Sequence, residues 1–203
     1  MKRRLACCLV FLMVGAAALA HLTAKQQTPA PTAHVAPHKP SPAQPAKAHT
    51  SDAFPRMSTP KELRIPVLDI ISTVRAVGTA ADGTMDIPDS LTDTGWYNQS
   101  VHPGNPGKAV LAAHTGYPNK PSQFRSLERI TPGTNIEVTD TTGTTAHFSV
   151  IQIARYNPDN APLKTIFGSS PTARLTIVTC AGTWDATKNS YTERLVIYAA
   201  RTK

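Results

Sequence analysis

An all-β domain, folded as a closed or nearly closed barrel with one or two short helices, is the fold class this sequence predicts. Two observations point to it. From about residue 63 onward the chain is a series of short β-rich runs punctuated by turn residues. Within that region only Pro121 to Arg129 has helical character, with Phe124 and Leu127 three positions apart. No internal repeat is present.

The elements follow in order. The chain opens Met1-Lys2-Arg3-Arg4 and then runs apolar from Leu5 to Ala20. A basic stretch before a hydrophobic one is the layout of an export signal. Sixteen such residues span roughly 24 Å as a helix, short of a ~30 Å hydrocarbon core. Residues 1–22 therefore read as a cleaved signal peptide or a short signal anchor. Ala18-Leu19-Ala20 offers a small-x-small cleavage site, whereas the stalk that follows makes sense only if tethered, and an anchor is expected. Either way the basic end stays cytoplasmic and the remainder lies outside. Residues 23–62 carry eight of the eighteen prolines among Ala, Thr, Lys and His. Proline at that density favours extended polyproline II, and with few large apolar residues no core can form. The segment reads as a disordered stalk. Its histidines, His34, His38 and His49, are loosely spaced and read as solvated rather than metal-binding.

The barrel is expected over residues 63–203. Leu63 to Ile71 is its first run, with Pro66 marking an edge or a break. Ala81-Asp82-Gly83-Thr84 is a turn. Lys108 to Ala113 is a buried run. Asn135 to Thr139 alternates, Asp140 to Gly143 turns, and Thr144 to Arg155 is another strand. The last two runs are Arg174–Cys180 and Arg194–Ala200.

The net charge of +8 suggests nucleic acid, but its distribution does not. Residues 1–62 hold net +6 and residues 63–203 only net +2. The basicity belongs to the leader and stalk, which suits anionic lipid or wall polymer better than a phosphate-reading surface, so no nucleic-acid partner is expected.

Cys180 is the only cysteine beyond the apolar run, which holds Cys7 and Cys8. A single cysteine in an exported domain is expected to lack an intrachain disulfide partner. It is then inert through burial or kept for its reactivity, and its own position leaves both open. Leu175 to Cys180 is expected to deliver the thiol to a strand end, with the chain breaking at Ala181-Gly182. Cys180 ends one run and Arg194 begins the next. If these pair as antiparallel neighbours, the two residues lie side by side at one rim. Thr176, Val178 and Cys180 share a face, as do Arg194, Val196 and Tyr198. An arginine there can lower a thiol pKa or donate to an oxyanion. It can equally be a surface residue paired with Glu193 or Asp185. A thiol nucleophile commonly works with histidine. His102 precedes Pro103-Gly104 in a loop and His147 lies mid-strand. His114 ends the buried run before Thr115-Gly116, at a rim like Cys180, and is favoured.

Leu111-Ala-Ala-His114, Thr176-Ile-Val-Thr-Cys180 and Glu193-Arg194-Leu-Val-Ile-Tyr198 resemble, in that order, the His, Thr-Leu-x-Thr-Cys and Arg signatures of sortases. Ile177 stands where leucine is usual, a change that conserves volume. Arg64-Ile-Pro-Val, Gly95-Trp-Tyr, Pro103-Gly-Asn-Pro-Gly107, Phe124-Arg-Ser-Leu127 and Cys180-Ala-Gly182 look like the class F sortases of actinobacteria. The resemblance implies an eight-stranded barrel and a membrane-tethered cysteine transpeptidase on the extracellular side. It would cleave a Leu-Pro-x-Thr-Gly-like C-terminal sorting signal of exported proteins between Thr and Gly. It would join the acyl part to the amine of a peptidoglycan precursor. It further implies Cys180 as nucleophile, His114 as acid and base, Arg194 as oxyanion donor and Thr179 as a residue that positions substrate or thiol. Some sortases use calcium, but no matching carboxylate cluster is seen, so neither metal nor cofactor is expected. The Ser-His-Gly-Cys motif of L,D-transpeptidases is absent, as is the Cys-x-x-Cys of disulfide oxidoreductases. A non-catalytic wall-binding barrel, or another exported cysteine enzyme acting on peptidoglycan, is the alternative.

Overall fold

The structure, a computed structural model, describes residues 54–203; the leader, the histidines of the stalk, Cys7 and Cys8 lie outside these residues. The strands are β1 (Pro60–Ile65), β2 (Ile70–Val77), β3 (Thr94–Tyr97), β4 (Gly107–Ala113), β5 (Gly116–Tyr117), β6 (Lys120–Pro121), β7 (Asn135–Asp140), β8 (Thr145–Tyr156), β9 (Ala173–Asp185) and β10 (Ser190–Arg201). Eight of them close a barrel in the order β1-β2-β3-β4-β9-β10-β8-β7, and β5 and β6 form a small separate hairpin. One α-helix, α1 (Leu163–Phe167), lies in the connection between β8 and β9. A 3₁₀ helix at Gln123–Arg129 occupies the stretch with helical spacing, and Phe124 and Leu127 are fully buried in the barrel core. Ser122 caps it by accepting the N–H of Phe124 at 3.0 Å.

The core is the inward face of this barrel. Leu63, Ile65, Ile70, Leu111, Ile136, Val138, Phe148, Leu175, Ile177, Leu195 and Ile197 pack together there, as alternation along each strand requires. The outward face of β4, β9 and β10 is covered by two connections. Met85 and Ile87, between β2 and β3, pack with Val110 and Ala112. Ile166 of α1 packs with Val178, Val196 and Tyr198.

The first run breaks at Pro66, one of the two readings its proline allowed. β1 ends at Ile65, Pro66–Leu68 makes a 3₁₀ turn, and Asp69 takes a left-handed φ of 53° before β2 returns antiparallel. Proline has no N–H for the ladder, and its fixed φ starts the turn. The four residues of β3 have no counterpart among the expected runs; Thr94 pairs with buried Val74 and Ala113, and Trp96 with buried Leu111. Cys180 does not end its strand. β9 continues to Asp185 and β10 begins at Ser190, so the loop is residues 186–189 rather than 181–193. Gly182, with φ +80°, lets the strand bend, and the register shifts between Tyr191 and Glu193. The chain passes through a bulge where a break was expected.

The packed region also starts before Leu63. Met57 is buried, its N–H donates to Asn105 Oδ1 at 2.8 Å, and its carbonyl accepts from Asn105 Nδ2 at 3.0 Å. The asparagine amide thus pairs with the backbone as a neighbouring strand would. Among the described residues no helix is long and apolar enough to cross a membrane.

Candidate active site

Cys180 and Arg194 are directly opposite each other in the antiparallel β9–β10 ladder. On the other side β9 runs parallel to β4, and the last pair of that ladder is Ala113 with Thr179. The next residues along the two strands are His114 and Cys180. Three adjacent strands therefore carry the histidine, cysteine and arginine to one end of the barrel. Ile87, Ala112, Ala113, Val178, Thr179, Cys180 and Arg194 line a cleft there, on the outward face. It is shallow, with about 190 Å³ of space, open solvent included.

Cys180 is 2% exposed and Arg194 3%. The burial of Cys180 agrees with the inert reading of that residue as well as the reactive one, and it is the neighbours that separate them. Cys180 is disulfide-bonded in this structure. That corrects the expectation of a cysteine with no intrachain partner, and any chemistry at Sγ starts from the reduced form.

Arg194 does not follow the surface reading. Its Nη1 donates to the carbonyls of Tyr191 at 3.0 Å and Glu193 at 2.9 Å, and its Nη2 to Ser190 Oγ at 3.3 Å. Glu193 instead takes Arg155 Nη1 at 3.0 Å, and Asp185 accepts the N–H and hydroxyl of Thr187. The start of β10 thus folds back to hold the guanidinium beside Cys180. Thr179 points its hydroxyl at the carbonyl of Ala113, 2.7 Å away. That bond ties together the residues immediately before Cys180 and His114.

His114 is half-buried. Its Nε2 lies 3.1 Å from the carbonyl oxygen of Pro88, and Ser122 Oγ donates to its own carbonyl. Burial holds its imidazole below the ordinary value of 6.5; the Pro88 carbonyl and the charge of Asp89 act in the opposite direction without offsetting it. Among the described residues the other two histidines are elsewhere. His147 pairs with Glu137 at 3.8 Å, at the β8 end that meets Arg201, seven residues and roughly 23 Å along β10 from Arg194. His102 packs tilted against Trp96 with ring centroids 4.9 Å apart, in the loop after β3.

Sequence reasoning missed the β2–β3 connection, which brings Ile87 to the cleft and Pro88 to His114 from more than twenty positions upstream. It also missed an aromatic wall nearby. Trp184 makes edge contacts with Tyr117 at 5.8 Å and Tyr191 at 5.1 Å, and Arg125 Nη2 donates to the carbonyl of Tyr117 at 2.8 Å. Neither carries a local signal, because both are assembled from distant loops.

A thiol, an imidazole and a buried guanidinium at one end of the barrel are the parts needed for acyl transfer through a covalent intermediate. A sequence model of the Sortase domain matches residues 63–202. A search of curated proteins finds no match. Among solved structures, sortase A from Corynebacterium diphtheriae is 22% identical with a TM-score of 0.54, over 73% of this chain and 62% of that one. This chain therefore spans less than two thirds of that protein. Sortase C-1 from Actinomyces oris is 21% identical with a TM-score of 0.55, over 70% of this chain and 73% of that one. Sortase C from Clostridium perfringens is 21% identical with a TM-score of 0.52, over 73% and 72%.

Proposed function

The chain belongs to the sortase family, and on that premise we propose that it is an active cysteine transpeptidase. Its substrate is a Leu-Pro-x-Thr-Gly-like sorting signal on exported proteins, and its acceptor an amine of a cell-wall precursor. The observation that carries the reading is that three adjacent strands bring His114, Cys180 and Arg194 to one end of the barrel, where Cys180 and Arg194 line a cleft.

In the proposed reaction, reduced Cys180 gives its proton to His114 and the thiolate attacks the Thr carbonyl. Charge develops on the carbonyl oxygen, and the Arg194 guanidinium, held rigid by Tyr191 and Glu193, donates to it. The C–N bond breaks as His114 returns the proton to the leaving glycine amine, leaving a thioester. The acceptor amine then attacks that thioester, His114 takes the amine's proton, and the departing thiolate recovers it. Burial disfavours the imidazolium of His114, which works against a preformed ion pair with the thiol. Thr179 positions the two reacting residues through its bond to Ala113.

The class F assignment belongs to this proposal. It is supported by Gly95-Trp-Tyr, Pro103 to Gly107 and Cys180-Ala-Gly182, while the three solved relatives above are of the A and C types at comparable distance. Anchoring by residues 1–22, N-terminus inside and barrel outside, also belongs to it. Mature chain beginning at His21 and free in the medium would contradict the anchor. The activity itself is tested by incubating the reduced chain with a Leu-Pro-x-Thr-Gly peptide and a small amine. Appearance of the Leu-Pro-x-Thr amide and the free glycine fragment supports it; their absence, with Cys180 titratable by a thiol reagent, favours a non-catalytic barrel.

A further inference from the structure

The residues that hold His114 do not come from its own strand. The connection between β2 and β3 returns across the outward face of β4, with Ile87 packed among Met85, Val110 and Ala112. The N–H of Asp86 donates to the carbonyl of Gly78 at 2.9 Å and fixes the start of this crossing. Pro88 then lies against β3 at Gly95. A Cβ on Gly95 would stand 2.9 Å from Pro88 Cδ, inside the closest approach of real carbon atoms, and 3.1 Å from a methyl of Val77. Gly95 has no left-handed φ, so the need for glycine there is one of space. The absent side chain is what lets Pro88 sit deep enough for its carbonyl to reach His114 Nε2 at 3.1 Å.

We propose that the Pro88–Asp89 segment, seated on Gly95, is the positioning element of His114: the Pro88 carbonyl takes the Nε2 hydrogen and so leaves Nδ1 as the atom that exchanges protons with Cys180 and the substrate amine. A carbonyl can only accept, so the bond fixes Nε2 as the donor. A neutral imidazole with hydrogen on Nε2 has its lone pair on Nδ1. The bond also survives protonation, since both nitrogens donate in the imidazolium, and the ring need not turn between the two halves of the reaction. Asp89 follows Pro88 directly, close enough for its charge to act on the His114 ring. The charge of Asp89 acts from the β2–β3 connection; Cys180 on β9 and Arg194 on β10 border the same cleft, and Ser122 contributes an uncharged hydroxyl to the backbone. The inference rests on His114 as the proton carrier of the proposed reaction, but the tautomer is measurable without turnover.

The experiment uses the full chain in detergent under reducing conditions. Long-range ¹H–¹⁵N spectra of the imidazoles, assigned with a His114→Gln variant, report the tautomer and titration of His114. The Nε2–H form is expected for the parent protein. In Asp89→Asn the His114 titration moves to lower pH, the matching limb of the pH–rate profile moves with it, and Asp89→Glu restores both. In Gly95→Ala, kcat falls by about 100-fold, the scale of a ~1 Å misplacement of a reacting group, with little change in KM. Pro88→Ala in that background removes the atom the new methyl meets while keeping the carbonyl, and recovers most of the rate. An Nδ1–H tautomer in the parent, or an Asp89→Asn titration unchanged from the parent, overturns the proposal. Failure of the parent to cleave peptide while showing the Nε2–H form counts against the proposed function and leaves this assignment standing.

Discussion

Replacing Arg194 separates catalysis from structure. Its Nη1 serves two backbone carbonyls, those of Tyr191 and Glu193, and its side chain is almost wholly buried. Arg194→Ala leaves those acceptors without this donor, at a cost of about 1–3 kcal/mol. For a domain of this size that lowers Tm by ~2–4 °C per kcal/mol. Against the roughly 5–15 kcal/mol stability of a folded domain, nearly all of the protein remains folded at 25 °C. Unfolding therefore cannot account for a large loss of rate. If the guanidinium also donates to the developing oxyanion, kcat/KM for peptide cleavage falls by about 100- to 1,000-fold, the scale of one lost donor. Arg194→Lys keeps the charge but lacks the planar fork that serves protein carbonyls and substrate oxygen together, and recovers only part of the rate. The assay is initial-rate kinetics of both variants alongside thermal melts by circular dichroism. A Tm loss of a few degrees with an Arg194→Ala rate within about fivefold of the parent would show that the residue only braces the β9–β10 turn.

Two further predictions concern the scaffold. Burial alone would raise the pKa of Asp140, but its carboxylate accepts the Thr142 hydroxyl and the N–H groups of Ser58, Thr142 and Thr144, and the net shift is downward from 3.8. A carboxylate depressed in the folded state contributes stability that is fully present above its unfolded pKa and lost as pH falls through the folded one; Asp140→Asn should lower Tm at neutral pH and flatten its decline below about pH 4, read by melts across pH. At Gly182 an added Cβ would stand 2.6 Å from Thr192 Oγ1, and the φ of +80° disfavours any L side chain, so Gly182→Ala should cost roughly 1–2 kcal/mol of backbone strain and, by shifting the bulge two residues from Cys180, reduce peptide cleavage more than tenfold. Equal Tm and rate in that variant would show that the bulge is not needed at Gly182.

Much of this arrangement was legible in the residues because alternation along a strand is a local property. The inward and outward faces of β9 and β10 follow from Leu175 to Cys180 and Arg194 to Tyr198 alone, and the pairing of Cys180 with Arg194 follows from one antiparallel ladder. That His114 ends a buried run, unlike His102 and His147, was readable in the same way; its role as proton carrier belongs to the proposal. What was not legible depends on contacts between distant segments. The bulge at Gly182 looks like a strand end because glycine signals both. The four residues of β3 are held by neighbours on β2 and β4 rather than by their own propensity. The Asn105 amide that secures Met57, and the Pro88 carbonyl that meets His114, join residues 48 and 26 positions apart. The resemblance in the three signature runs supplied the strand number, which short β runs alone do not fix.

The most direct test of the central claim is intact-protein mass spectrometry of the reduced chain mixed with a Leu-Pro-x-Thr-Gly peptide and no amine acceptor, quenched in acid and mapped by proteolysis. The account predicts a mass increase equal to the Leu-Pro-x-Thr acyl group, located on Cys180, absent in Cys180→Ala and discharged by hydroxylamine. No adduct on a Cys180 that a small thiol reagent modifies readily, or an adduct that persists in Cys180→Ala, would contradict it.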